Sequence, residues 1–393
     1  MPNLRDRDRS PVDLAFVIDH PAQHFSPGLA AVEQHGAIRC VAVYWRDNRE
    51  GHFDKGFGQQ IKWDIDLLDG YESIATDPRR ATWRRSLTLL SWFARNRPRV
   101  VVIAGWAGPA ARLAILWCKA THTPHYFEGD TTWQHTVDGG RPRVRRALVL
   151  RALFVGSRAI ATGTFNREFY ILHGIHPSRI IDGVIPIDTT RFAAAREQRD
   201  IADAADQSAR GNTLVIGFAG KLIEQKGVGE LLDAVALLDP AIDWHLRIVG
   251  DGPLRGELEA QVERLDIADR VTFSGFVNQA DMPATFAAFD IFVAPSKWDL
   301  RILAVAEAMA AGAPVIISDA TGIWGAGDLV QQGTTGMVYE SGNPKALANT
   351  IETLAHDPTK RATLRAAAAE RVKREGPETF VHQLETAATT PHG

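Results

Sequence analysis

Short apolar runs alternate with stretches of helical periodicity along almost the whole chain, and this constrains the fold more than any other feature. Residues 13–18 (D-L-A-F-V-I) have the length and composition of a buried strand, and residues 40–45, 100–104, 125–127, 159–162 and 180–185 repeat the pattern. Helical patterns lie between them: one ending near Glu33, then 83–96, 108–120, a basic one from about Arg143, and 166–173, which Gly174 closes. A second series has strands at 213–218, 245–249, 271–274, 291–294 and 315–317, and helices at 228–238, 254–265 and 281–288. Strict strand–helix alternation is the signature of a parallel sheet covered by helices on both faces. The expectation is therefore α/β: two Rossmann-like doubly wound domains, facing across a cleft where the carboxyl ends of the strands collect ligands.

The 393 residues are long for one core, which supports the same division. The expected boundaries are an N-terminal domain at 1–190, a linker at 191–212, a C-terminal domain at 213–375, and a segment at 376–393 ending in a frayed A-A-T-T-P-H-G tail. The linker reading rests on the Ala-, Asp-, Gln- and Gly-rich composition of residues 193–211. Residues 46–71 are polar and aromatic, without clear periodicity.

A net charge of -3 selects no partner, but its distribution is uneven. Residues 71–160 hold 15 Lys/Arg against 5 Asp/Glu. A basic N-terminal half fits contact with a phosphorylated acceptor or the anionic inner face of a membrane, although solvated arginines on ordinary helices explain it as well. The run R-P-R-V-R-R-A-L-V-L-R-A-L-F, at 141–154, has the same two readings. The two cysteines, Cys40 and Cys118, lie in apolar stretches and read as buried free thiols of a reducing compartment. No apolar run is long enough to span a bilayer, and the charged N-terminus does not read as a signal peptide, so a cytoplasmic protein is expected. Nothing points to nucleic acid.

Four motifs of the second series carry chemistry. After its first strand comes G-K-L-I-E-Q-K-G, where Gly220 allows close backbone approach beside Lys221 and Lys226, two ammonium groups able to clamp a diphosphate. Solvated loop lysines are the plain alternative. Gly250, Asp251 and Gly252 make a tight strand-to-helix turn, a weak signal alone. V-T-F-S-G-F-V follows at 271–277. Residues 296–318 (S-K-W-D-L-R-I-L-A-V-A-E-A-M-A-A-G-A-P-V-I-I-S) read as a turn, a helix entered near Ile302, a Gly312 cap and a buried strand. Asp299 precedes that helix, and Glu307 lies on it among apolar neighbours, where an acid needs a partner.

In this order the four motifs resemble the C-terminal domain of the retaining family-4 glycosyltransferases of GT-B fold, over roughly residues 214–354. In the first half, F-V-I-D-H-P-A-Q-H-F-S-P-G and the later D-K-G-F-G and K-W-D-I-D-L-L-D-G-Y are similar to members that build bacterial surface polysaccharides. The resemblance implies transfer of a sugar from a nucleotide diphosphate to a glycan, lipid-linked or small-molecule acceptor, with retained configuration and no metal or other cofactor. It implies that Lys221 and Lys226 hold the diphosphate, that Gly250, Gly252, Phe276 and Val277 border the nucleobase, that Glu307 meets the ribose, and that Leu303 is among the donor-binding residues. Asp299 would hold the transferred sugar. This chain reads Asp299-Leu300-Arg301-Ile302-Leu303 where relatives have Glu-x-F-G-L, and Lys221 where they usually have arginine.

In the N-terminal half, His20 and His24 lie after the first strand, and Glu128, Asp130, Trp133 and His135 after the fourth, at strand ends where ligands of such sheets bind. Asp130, next to Gly129, is favoured as the donor-sugar contact and His20 as a phosphate or acceptor contact. A packed or solvated histidine is the plain alternative. Arg301 and Ile302 leave a second reading open: a protein of this fold that binds sugar nucleotides without transferring. A GT-B epimerase or phosphorylase fits the motif order less well.

Overall fold

The computed structural model describes residues 11–47, 51–54, 56–131, 142–205 and 213–390, and everything below concerns those residues. The chain separates into two compact units: Met1–Arg49 with Asp66–Ile187 and Glu375–Gly393, and Glu50–Ile65 with Asp188–Arg374.

The N-terminal unit is built on strands β1 (Leu14–Ile18) and β2 (Cys40–Tyr44), joined by helix α1 (Phe25–His35). The chain then leaves this unit to form a hairpin, β3 (His52–Asp54) and β4 (Gln59–Ile61), and returns at β5 (Ser73–Ala75). Helix α2 (Thr82–Asn96), β6 (Val100–Ala104), α3 (Pro109–Thr121), β7 (His125–Gly129), α4 (Pro142–Phe154), β8 (Arg158–Ala161), α5 (Thr164–Leu172) and β9 (Ile180–Asp182) follow. The seven strands pair in parallel in the order β5-β2-β1-β6-β7-β8-β9. Leu14 to Val17 are fully buried because both faces of the strand are covered, and Phe93, Phe127, Phe154 and Phe169 fill one face.

The C-terminal unit begins with α6 (Thr189–Ala205), then β10 (Leu214–Ala219), α7 (Val228–Val235), β11 (Trp244–Val249), α8 (Arg255–Arg264), β12 (Val271–Gly275), α9 (Met282–Ala287), β13 (Ile291–Ala294), α10 (Leu303–Ala310), β14 (Val315–Ser318) and β15 (Met337–Tyr339). Helices α11 (Pro344–His356) and α12 (Pro358–Val372) complete it, and α13 (Pro377–Thr389) belongs to the N-terminal unit. Its six strands are also parallel, ordered β12-β11-β10-β13-β14-β15. Counted by appearance within each sheet, both orders begin 3-2-1-4-5-6, the doubly wound order, in which the chain reverses direction across the sheet beside its first strand. The expected class, two Rossmann-like parallel-sheet domains of GT-B fold, is the class observed.

Three expectations differ from what is found. Residues 193–211 were expected in a linker, yet α6 runs to Ala205 within the C-terminal unit, where Arg199 donates to the Phe289 carbonyl and to Asp290 Oδ1, both at 2.8 Å. The frayed tail is a helix as far as Thr389, with Ala387 fully buried. The aperiodic segment contains the β3–β4 hairpin, which groups with the C-terminal unit. Cys40 and Cys118 are buried free thiols, and burial pushes the Cys118 thiol up to about 12. Among the described residues no helix is long and apolar enough to cross a membrane.

Candidate functional site

The switch point of the C-terminal sheet lies between β10 and β13, which pair directly. The loops leaving their carboxyl ends carry Lys221 to Lys226 and residues 295–302, so this is where the sequence motifs have to meet. They do: Lys226 Nζ stands 2.5 Å from Asp299 Oδ2, across 73 positions of sequence. Asp299 is held from several sides. Its Oδ1 accepts from the Leu300 amide at 2.9 Å, Ser296 Oγ lies 3.4 Å from Oδ2, and its backbone bridges to Thr321 and accepts from the Gly322 amide. Gly227 turns the lysine loop into α7 with φ of 66°, and a Cβ there would lie 2.0 Å from the Pro295 carbonyl oxygen, so only glycine lets the two loops touch.

The loop after β11 braces the lysine loop through backbone alone. Gly220 donates to the Val249 carbonyl, Leu222 to that of Asp251, and Gly250 to that of Gly275. Gly250 has φ of 131°, and a Cβ on it would sit 1.8 Å from the Gly220 carbonyl oxygen. A Cβ on Gly252 would meet the Leu222 carbonyl oxygen at 2.5 Å. The G-x-G signal, weak in isolation, thus marks a joint that brings Gly220, Gly250 and Gly252 together. Phe276 and Val277 follow β12 beside this joint and are partly buried.

The hairpin, to which the sequence assigns no role, supplies a close neighbour of Lys221. Lys221 Nζ lies 2.9 Å from Asp54 Oδ2 and 5.2 Å from the centre of the Phe57 ring. Asp54 Oδ1 also accepts from the Gly56 and Phe57 amides, at 2.8 and 3.1 Å. Burial opposes ionisation of Asp54, but the bond from Lys221, the two amides and the ammonium charge outweigh it and hold the carboxyl below its ordinary value. The Lys221 chain passes so close to Gly56 that a Cβ there would lie 2.5 Å from Lys221 Cδ. Phe57 and Trp63 pack on Phe276 with ring centres 5.2 and 6.1 Å apart, and Asn278 donates to the Lys62 carbonyl at 2.9 Å. The only trace in the sequence was the glycine of D-K-G-F-G, whose cause is a lysine 165 positions away.

Helix α10 begins at Leu303, with the buried Ile302 at its N-cap. One turn along, Glu307 accepts no side-chain hydrogen bond from the described residues. Burial pushes its carboxyl up to about 7, and the charge of Arg191 only partly offsets this. Arg191 is itself held by the Gln279 carbonyl at 2.9 Å.

The candidates of the other half lie within the N-terminal unit. His20 and His24 are partly buried in the loop after β1, with His24 4.5 Å from the Phe25 ring. In the same loop Asp19 Oδ1 accepts from the Ala110 amide at 3.2 Å, at the start of α3. After β7, Asp130 is exposed, whereas Glu128 is fully buried and accepts from Gln383 at 3.0 Å, which gives it a structural task. Trp133 and His135 lie outside the described residues. Helix α4 exposes Leu148 and Val149 while burying Leu150 and Phe154.

The joint, the paired lysines and Glu307 all lie in one stretch of sequence that has known relatives. Residues 200–371 match the family of glycosyl transferases group 1. That span is similar to the domain of group 1 glycosyl transferases. Over 145 residues the chain is 36% identical to the 2-deoxystreptamine glucosyltransferase of Streptomyces kanamyceticus, a match that covers 37% of each protein. It is 28% identical over 276 residues to a GDP-mannose-dependent alpha-(1-6)-phosphatidylinositol monomannoside mannosyltransferase of Mycobacterium tuberculosis, covering 68% of this chain and 70% of that one. The first two curated relatives are thus matched over only 37% and 50% of their lengths. Among solved structures, Anabaena HepE in complex with UDP and glucose superposes with a TM-score of 0.70 at 19% identity, covering 96% of this chain and 99% of that one. The matched span therefore holds Lys221, Lys226, Gly250, Asp299 and Glu307, while His20 and Asp130 lie outside it.

Proposed function

We propose that this protein is a retaining glycosyltransferase that moves a sugar from a nucleotide-diphosphate donor to a glycan, lipid-linked or small-molecule acceptor. The observation that best supports it is the meeting of Lys226 and Asp299 at the switch point, on loops from adjacent strands. In this reading Lys221 and Lys226 take the diphosphate, and Asp299, freed from Lys226, receives hydroxyls of the transferred sugar. Glu307 accepts the ribose hydroxyls; its carboxylate accepts no side-chain hydrogen bond from the described residues, and two hydroxyls would supply such bonds. The backbone around Gly250, Gly252, Phe276 and Val277 borders the base, and Leu303 flanks the ribose.

The reaction is a front-face displacement. The bond from the anomeric carbon to the diphosphate oxygen breaks as charge gathers on the phosphate, which the two ammonium groups stabilise more in the transition state than in the ground state. The acceptor oxygen bonds to the anomeric carbon from the same face, and its proton passes to the departing phosphate oxygen. The reading needs no metal or other cofactor, since the lysines carry the compensating charge. His20, Asp130 and the exposed apolar residues of the basic α4 are the acceptor-side candidates, the last for a lipid-linked acceptor at the inner face of the membrane.

The test is a thermal-shift series with UDP, GDP, ADP and TDP and their sugar conjugates, followed by NMR of the product. HepE was solved with UDP-glucose and the mycobacterial relative is named for GDP-mannose, so UDP and GDP are the first bases to compare. Stabilisation by one base and product with the donor's anomeric configuration are expected. No shift with any nucleotide overturns the reading, and inverted product overturns its mechanism.

A further inference from the structure

The segment of residues 51–65 is spliced between β2 and β5 of the N-terminal sheet, yet it groups with the C-terminal unit. Three kinds of contact fasten it there: the Asp54–Lys221 ion pair, the packing of Phe57 and Trp63 on Phe276, and bonds between residues 62–64 and Asn278 and Ala280. The first two touch residues that the proposed function gives to the donor, and the third anchors the segment just after them in sequence. Lys221 and Phe276 stand at the diphosphate and base ends of that ligand, and one short segment reaches both.

We propose that Asp54 is a built-in counter-ion which the donor must displace from Lys221, and that Phe57 and Trp63 complete with Phe276 the wall that receives the nucleobase. This rests on the donor-site reading above. The Lys221 side chain keeps 36% of its surface exposed, so an incoming phosphate can reach the ammonium. A diphosphate offers several anionic oxygens where Asp54 offers one that is bonded, so it wins the lysine, but only against a carboxylate left close by. The empty site thus presents little free positive charge, and simple anions are disfavoured. A nucleoside diphosphate gains from both ends of the segment at once, which makes the segment a filter for base and diphosphate together.

Asp54→Asn separates this from a structural role, because asparagine can still accept from the Gly56 and Phe57 amides and keep the turn. Titration calorimetry would use the nucleoside diphosphate found in the thermal-shift series, with pyrophosphate as the ligand lacking a base. Asp54→Asn is expected to tighten both at least threefold, Asp54→Glu to tighten neither, and Phe57→Ala to weaken the nucleoside diphosphate about tenfold while leaving pyrophosphate unchanged. Unaltered circular dichroism and melting would show that each variant folds. If the wild type binds but Asp54→Asn binds equally or more weakly, the counter-ion idea is overturned and the transferase reading stands. An unchanged nucleoside diphosphate affinity in Phe57→Ala removes the aromatic wall. If the wild type binds no nucleotide, both proposals fall.

Discussion

The loop after β10 and the helix α10 treat their charged groups in opposite ways. Both lysines of the loop are already engaged, Lys226 by Asp299 and Lys221 by Asp54, whereas Glu307 on the helix accepts nothing from the described side chains. An ammonium group left bare in a half-buried cleft would bind any passing anion, and a carboxylate left bare simply takes a proton. On the proposed function, the donor must therefore take the lysines away from their partners but only has to bring hydrogens to Glu307. Cations masked and an anion waiting is the resting arrangement that the proposed donor, with phosphates at one end and hydroxyls at the other, would call for.

The sharpest way to break this contrast is at Lys226. Its alanine variant removes a diphosphate contact and strands Asp299, whose side chain is only 10% exposed. Turnover should fall about 100-fold and stability by about 1–3 kcal/mol, measured as kcat/KM and Tm. The Lys226→Ala, Asp299→Asn double variant should recover the Tm and not the turnover, which separates the lysine's two tasks. Glu307→Gln comes next. It should weaken nucleotide binding about tenfold, yet leave the Tm unchanged or higher, because the cost of ionising a partly desolvated carboxyl is gone; a fall in Tm would show that Glu307 has a structural partner.

The same acid gives a pH signature. Its carboxyl titrates near 7 in the folded state, above the ordinary 4.5, so the folded state prefers the proton. The wild type should lose stability relative to Glu307→Gln as pH rises through the window from about 4.5 to 7, and the difference should be constant above it. Nucleotide affinity, which needs the charged acceptor, should rise over the upper part of that window in the wild type and not in the variant. Smallest is Gly56→Ala, whose Cβ would crowd the Lys221 chain. A few-fold change in nucleotide affinity with little change in turnover is expected from a lysine that keeps its charge and shifts its position.

How much of this was legible depended on how local its causes were. The strands of both sheets were readable because apolar runs buried on both faces leave few alternatives, and Gly312 was readable as a cap, as its φ of 84° requires. Short strands such as Ser73–Ala75 and Met337–Tyr339 were missed, since three residues carry no periodicity. Helix α6 was misread because its Ala-rich composition looks like a spacer, while its burial comes from Phe192 and Arg199 meeting distant partners. Lys226, Asp299 and Glu307 could be named from motif and spacing. Asp54 could not, because nothing near position 54 in the sequence foretells a lysine at position 221.

The assignment of α13 to the N-terminal unit also sets an order of events during synthesis. The chain changes unit after residues 49, 65, 187 and 374, so the N-terminal core lacks its last piece until the C-terminal unit has been made. That piece covers the rings of Phe16 and Phe25 with Phe380, which lies over Gly28, and brings Gln383 to the buried Glu128. At ordinary translation speeds the nascent sheet waits roughly 10–40 s with that face open. A ribosome stalled anywhere in the C-terminal unit would therefore hold a first half with that apolar face uncovered, and the final helix is the piece that seals it.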